Sequence, residues 1–230
     1  MGPSTPAYRY ISDGIRAKLN EDLGDHYCLH QEYLESERFP KGYYPNERFE
    51  LFNEKYEEVD LDLLICVGID IVEPVKKNAS DKILSLPAVV IDFDLSEYNL
   101  DRDLVLNSKT VIIGLKIDVP GTLNMAVHLF PDRKNVYFIM GTSKADLLYG
   151  MATLTATKYF DQRLDYHFLT NMSMDQVLDI VKHLPDLSII IIPSFNIGRK
   201  SVPYFNPESV RLISQAANAP VFIYSDMGFG

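Results

Sequence analysis

Small polar and acidic side chains follow the apolar strands of this sequence, and they are the residues best placed to do chemistry. Val136 to Met140 has the length and character of a buried strand and runs directly into Gly141-Thr142-Ser143. An earlier apolar segment, AVVIDFD, ends in the carboxylates Asp92 and Asp94. Open parallel sheets bind ligands outside the carboxyl ends of their strands. The sequence therefore predicts binding groups along such an edge.

The motifs that would assign phosphate binding or hydrolysis are missing. Neither GxxxxGK[ST] nor GxGxxG follows a predicted strand, so Gly141-Thr142-Ser143 alone is a weak signal for a nucleotide. Thr142 or Ser143 could instead cap the helix that follows. No GxSxG elbow occurs, and the five histidines share no loop position, so a catalytic triad is not supported.

Asp92 and Asp94 leave a metal-dependent alternative open. Paired carboxylates at a strand end suit Mg²⁺. A phosphotransfer receiver would also need a lysine at a later strand end, and no lysine matches that position. Solvated loop carboxylates are therefore favoured, and a sugar-phosphate or nucleotide-processing enzyme that uses these two residues with a metal is the third hypothesis.

The two cysteines do not indicate a redox or zinc site. Cys28 and Cys66 have no CxxC spacing and no neighbouring histidine pair. Both lie in the first half of the chain, whereas a two-lobed racemase needs one from each half. We expect both to be buried structural thiols.

Charge and hydropathy narrow the range of partners. The formal net charge of -10 disfavours nucleic acid, because it repels phosphate backbones. A hydrophobic content of 47% with 23% charged residues is ordinary for a globular protein. No apolar stretch reaches the roughly 20 residues of a membrane-spanning helix, and no signal peptide is evident. We expect any membrane attachment to come from parts outside this chain.

Apolar runs alternate with helical patterns along most of the chain. Leu123, Ala126 and Val127 have helical spacing, and Ser173 with Gln176 has the spacing of a capping box. Strands that alternate with helices predict parallel sheets with right-handed crossovers. The predicted strands are Tyr27 to Leu34, Leu61 to Val67, AVVIDFD, Val111 to Leu115, Val136 to Met140, Tyr166 to Leu169, Leu187 to Ile192 and Val221 to Tyr224.

These elements are predicted to form two lobes. Residues 95–109 are rich in Asp and Asn and have little periodicity, which is typical of a connection. The length of 230 residues fits two lobes of about 100 residues each. We predict an N-terminal α/β lobe at 1–108 and a C-terminal α/β lobe at 109–230, each a Rossmann-like parallel sheet flanked by helices.

The order of the segments resembles type I periplasmic-binding-protein-like domains. The resemblance is to the group shared by ABC-transporter substrate-binding proteins and the extracytoplasmic sensor domains of bacterial two-component histidine kinases. Members of that family have an apolar strand before the first helix and return to the first lobe at the end, so we expect a fold that lacks terminal elements. The resembling segments are YRYISDGIRAKL, LDLLICVGID, LPAVVIDFD, TVIIGLKIDVPGTLNMAVHLFPDRKNVYFIMGTSKAD, SMDQVLDIVKHLPDLSIIIIPSFN and APVFIYSD.

The resemblance implies ligand binding rather than catalysis. It implies a small polar ligand held between the lobes, lobe closure as the signal, and no cofactor or enzymatic activity in this segment. It also implies a periplasmic or extracytoplasmic location and leaves a homodimer open. Carried over by position, the ligand contacts are Ser4, Thr5, Tyr8, Asp70, Phe93, Thr142, Ser143, Ser194, Phe195 and Asp226.

Two functions within this family are left open. The leading hypothesis is the ligand-sensing domain of a two-component sensor histidine kinase. The alternative is the substrate-binding component of an ABC importer, which the same kind of cleft would serve. The sequence does not name the ligand.

Overall fold

The computed structural model describes residues 6–34, 45–68, 71–94, 96, 103–196, 198–199, 204 and 206–225. Within these ranges the chain is α/β, with two parallel sheets flanked by helices, as predicted. It forms two compact units. The first contains Met1–Val67, Ile71–Val90 and Val105–Val111, and the second contains Gly68–Asp70, Ile91–Leu104 and Ile112–Gly230. The lobe boundary near residue 108 stays a prediction.

Among the described residues, the first sheet has three strands in the order β1-β2-β3. Leu64 donates to the carbonyl of Pro87 and Gly68 to that of Ile91, which is the pattern of a parallel pair. The strands are β1 (Leu64–Val67), β2 (Ala88–Asp94) and β3 (Thr110–Lys116), and the helices that precede or connect them are α1 (Pro6–Leu23), α2 (Pro45–Lys55), α3 (Val72–Asn78) and α4 (Asp81–Leu84).

Helix α2 packs against α3, and one asparagine joins their ends. The Asn53 side chain donates to the carbonyl of Asn78 at 2.9 Å and accepts from the backbone amide of Ser80 at 2.8 Å. Ser80 in turn caps α4 by accepting from the amide of Ile83. Phe49 and Tyr56 lie buried on α2 and near its end. Polar bonds and apolar burial therefore fix these connections together.

The predicted strand from Tyr27 to Leu34 is wrong. This segment has no regular secondary structure, because within the described part of the chain no strand lies beside it to pair with. Side chains hold it instead. Gln31 accepts hydrogen bonds from Ser12 and Arg16 of α1, and Tyr27 donates to Asn20.

The expectation for the cysteines is half correct. Cys66 is buried in β1, and burial raises the pKa of its thiol to about 12. Cys28 is exposed, since the segment that carries it is not part of a sheet, so our expectation that it is buried is wrong. Both thiols are free.

We predict that the two thiols differ strongly in reactivity. In the native protein near neutral pH, a thiol-specific reagent should modify Cys28 and leave Cys66 unmodified, because the thiolate is the reactive form and burial disfavours it. Mass spectrometry of labelled protein checks this, with denatured protein as the control that should take up two labels. Rapid native labelling at Cys66 would contradict the described burial.

The second sheet has four parallel strands in the order β5-β4-β6-β7. Val136 of β4 lies opposite Tyr166 of β5 on one side and Ile189 of β6 on the other, and Ile190 lies opposite Val221 of β7. The elements in chain order are α5 (Val119–Leu129), β4 (Asn135–Met140), α6 (Lys144–Thr157), β5 (Asp165–Leu169), α7 (Met174–Val181), β6 (Ser188–Ser194), α8 (Asn206–Ala216) and β7 (Val221–Ile223).

Helices cover both faces of this sheet. On one face α5 and α6 pack on Phe138 and Ile191, and on the other α7 and α8 pack on Ile190 and Ile192. Successive strand residues point to opposite faces, so a strand covered on both sides must be apolar at every position. This explains the unbroken run from Ile189 to Ile192, which is fully buried.

We expect Phe138→Ala to destabilise the second unit by about 3–5 kcal/mol, because Phe138 is fully buried and stacks on Phe168 with ring centroids 5.1 Å apart. Tyr159→Ala is the matched control, since Tyr159 is 85% exposed. It should change the free energy of unfolding by less than about 0.5 kcal/mol. Urea unfolding of both variants measures the difference, and equal losses would contradict the described core.

Candidate functional site

The central strands β4 and β6 meet at a topological switch point. After β4 the chain crosses through α6, on one face of the sheet, to the edge strand β5. After β6 it crosses through α8, on the opposite face, to β7 at the other edge. The two loops therefore leave neighbouring strand ends in opposite directions. In open α/β sheets this divergence creates the crevice in which ligands bind.

The carboxylate of Asp146 lies buried at this switch point. Asp146 is in the first turn of α6 and is 1% exposed. One of its oxygens accepts from the hydroxyl of Ser194 at 2.6 Å and from the side-chain amide of Asn196 at 3.1 Å. The backbone amide of Asn196 also donates to it, at 3.0 Å. A buried charge is tolerated only when its oxygens are hydrogen-bonded, and this arrangement meets that need.

The same carboxylate caps its own helix. Its second oxygen accepts from the backbone amide of Ser143 at 2.9 Å, while the Ser143 hydroxyl accepts from the backbone amide of Asp146 at 3.0 Å. This reciprocal pair is a capping box. Asp146 thus joins the loop after β4 to the loop after β6, across 50 residues of sequence.

A third loop is tied to the same edge. The backbone amide of Arg199, in the connection after β6, donates to the carbonyl of Met172, in the loop after β5, at 2.8 Å. Gly198 lies close by, and a Cβ atom there would approach the same carbonyl to 3.3 Å. Loops after three of the four strands are therefore positioned relative to one another by direct bonds.

Aromatic side chains pack beside the loop that follows β6. The ring of Phe195 lies 5.8 Å from that of Tyr204. The backbone amide of Tyr204 donates to the carbonyl of Asn196 at 2.6 Å. Burial raises the pKa of Tyr204, and the nearby carboxylates of Asp175 and Glu208 add to the shift.

The structure brings three of the predicted site residues together. Thr142 and Ser143 follow β4, and Ser194 ends the neighbouring strand β6. Thr142 is half-buried, whereas Ser143 and Ser194 are buried and bonded to Asp146. Of the three, Thr142 is therefore the most accessible to a ligand, whereas the two serines hold the loops through Asp146.

The other predicted contacts are placed differently or lie outside the described residues. Phe195 is fully buried in the core between the sheet, α7 and α8. Tyr8 lies in α1 and the main chain of Phe93 lies in β2. Their role as ligand contacts stays a prediction. The residues outside the described ranges are Ser4, Thr5, Asp70 and Asp226.

Sequence reasoning missed Asp146 and the role of Asn196. Ser143 and Asp146 have the S-x-x-D spacing of a capping box, which was a usable signal for the first. The link from Asp146 to Asn196 has no sequence signature, because it depends on β4 and β6 becoming neighbours.

Two properties of the described residues bear on the alternatives. No group of three or more His, Cys, Asp or Glu side chains there is placed to hold a metal ion. Among the described helices, none is both long enough and apolar enough to cross a membrane. The expectation of solvated loop carboxylates is wrong for Asp92, which is buried within β2. The side chain of Asp94 lies outside the described residues.

Comparison with protein-family models, with curated proteins and with solved structures gives no match to this chain. The resemblance to type I periplasmic-binding-protein-like domains therefore stays a prediction. The α/β architecture itself is independent of that resemblance, because it is observed directly.

We predict that Asp146→Asn destabilises the second unit by about 1–3 kcal/mol, because a carboxamide cannot accept from all the buried donors that now face Asp146. Hydrogen exchange should accelerate at the backbone amide of Ser143 or of Asn196, because a carboxamide has one acceptor oxygen where the carboxylate has two. Asp186→Asn, at an exposed position before β6, is the control and should change neither quantity. Unchanged exchange at both amides would show that the carboxylate does not hold the two loops.

Proposed function

We propose that this chain is the extracytoplasmic small-ligand-sensing domain of a two-component sensor histidine kinase. In this proposal, loops at the carboxyl edge of the second unit's sheet contact a small polar ligand. Closure of the two predicted lobes on the ligand would be the signal, and this segment would have no catalytic role.

The observation that carries the ligand-binding part is the switch point between β4 and β6. Its loops diverge to opposite faces of the sheet, which is where α/β sheets bind ligands. The loops are also held in place before any ligand arrives, because Asp146 bonds to residues of both. Pre-positioned loops favour affinity, since less conformational freedom is lost on binding.

Hydrogen bonding at the start of α6 favours a neutral or cationic ligand over an anion. Helix N-termini attract anions through free amide groups. At the start of α6 the amides of Ser143 and Asp146 already have acceptors, so two of the donors that could bind a phosphate group are in use. Hydroxyl-rich and amine-bearing ligands therefore fit this edge better.

The assignment to a sensor kinase comes from the sequence resemblance, and the importer component is the alternative within it. The two differ in the proteins that must accompany the chain. A membrane helix and kinase core encoded in the same reading frame would favour the sensor, and an adjacent permease gene would favour the importer.

Ligand binding is tested by screening sugars, polyols, amino acids, amines and phosphate esters against the chain by thermal shift. A neutral or cationic ligand at 100-fold excess over its Kd should stabilise the protein by about 2.7 kcal/mol, which corresponds to several degrees in Tm. Failure of every neutral and cationic compound, or a preference for phosphate esters, would contradict the proposed chemistry.

Thr142→Val then locates the site by isothermal titration calorimetry with the compound found. Loss of one hydroxyl contact should raise Kd about tenfold, which corresponds to about 1.4 kcal/mol. Thr155→Val, at a half-buried position further along α6, is the matched control and should leave Kd unchanged. Equal affinities for the two variants would place the ligand elsewhere.

A further inference from the structure

Helix α6 is apolar on both sides. Its inward face is buried in the core, including Ala152 and Ala156. Its outward face carries Leu147, Met151 and Leu154 at i, i+4 and i+7, with exposed fractions of 56%, 47% and 46%. A surface helix normally has polar residues opposite its buried stripe, and a helix that is apolar all round is normally covered on both sides. The outward face of α6 therefore has the composition of an interface.

The neighbouring helix extends this surface. Helix α5 packs against α6 on the same face of the sheet and exposes Met125 by 56% and Leu129 by 58%. We define the apolar patch as Met125, Leu129, Leu147, Met151 and Leu154. Apolar patches on the surfaces of soluble proteins are often sites of protein–protein contact.

The charges around the apolar patch suit a second copy of the chain. The chain as a whole has a net charge of -10, which keeps copies apart. Helices α5 and α6 contain one acidic residue, Asp146, and it is buried. The exposed charged groups of α6 and its cap, Lys144 and Lys158, lie at the two ends. When the middle of the patch contacts the same surface of a second copy, no like charges on these two helices therefore face each other.

We propose that the apolar patch is the contact surface of a weak two-fold homodimer. Residues near the middle of α6 would then contact their own copies, with Met151 close to the axis and Leu147 facing Leu154 of the second copy. Five side chains at about half exposure offer roughly 250 Å² of apolar area per copy. With the contributions of both copies and of a polar rim, the total buried surface area would be about 1,000 Å², which is the lower limit for a specific interface. An interface of that size predicts a dimer that dissociates on dilution.

Sedimentation velocity of the full 230-residue chain tests this dimer between about 5 and 500 μM. We expect a reversible monomer–dimer equilibrium with Kd in the micromolar range. Met151→Glu should raise Kd at least about tenfold, because it places two carboxylates near the axis. Leu51→Glu is the control, since Leu51 is 60% exposed on α2, and should leave Kd unchanged. A monomer at every concentration, or equal Kd for both variants, would overturn the proposal.

Cross-linking gives a readout that does not depend on a destabilising charge. In a Cys28→Ser background, Met151→Cys should join to its own copy with a short bismaleimide, whereas Leu51→Cys should not. Cross-linking at position 51 with none at position 151 would place the contact on a different surface and contradict the two-fold arrangement.

Discussion

The buried carboxylate of Asp146 is the constraint on which the carboxyl edge of the second sheet depends. Removing a charge from water is costly, and only a full set of hydrogen bonds offsets that cost. Those bonds come from Ser143, Ser194 and Asn196. Each of these residues must therefore keep its place for the buried charge to be tolerated. The two loops that diverge from β4 and β6 are thereby joined by one set of hydrogen bonds.

The sheet beneath explains why these bonds keep their geometry. Strand β6 is buried along its whole length, between helices on both faces and strands on both sides. Its end cannot shift without disturbing the core, so Ser194 is presented from a fixed base. Phe195 extends this anchoring, since its ring is buried against α7 and α8 while its carbonyl accepts from the hydroxyl of Ser209 at 3.0 Å. Core packing and site geometry are therefore coupled at adjacent residues.

Sequence patterns correctly predicted the features that depend on residues close together in the chain. The strand end at Gly141, the capping box of Ser173 with Gln176 and the alternation of strands and helices are all confirmed. The wrong or missing predictions concern features that depend on which elements become neighbours in the fold, and a sequence pattern does not contain that information. The segment from Tyr27 to Leu34 alternates as a strand does, but without a partner strand beside it the alternation produces no sheet, and Cys28 is left exposed. The bonds from Asp146 to Ser194 and Asn196 were missed because these partners lie about 50 residues away in sequence.

The sequence distance between Asp146 and its partners in and after β6 affects how the chain folds. Loop closure over 50 residues carries an entropy cost that local helices do not bear, and contacts between distant residues slow folding. Helix α6 can form its capping box early, but Ser194 and Asn196 arrive only when β6 docks beside β4. The carboxyl edge should therefore be among the last features of the second unit to form, because the carboxylate of Asp146 leaves water only when Ser194 and Asn196 are in place to bond it.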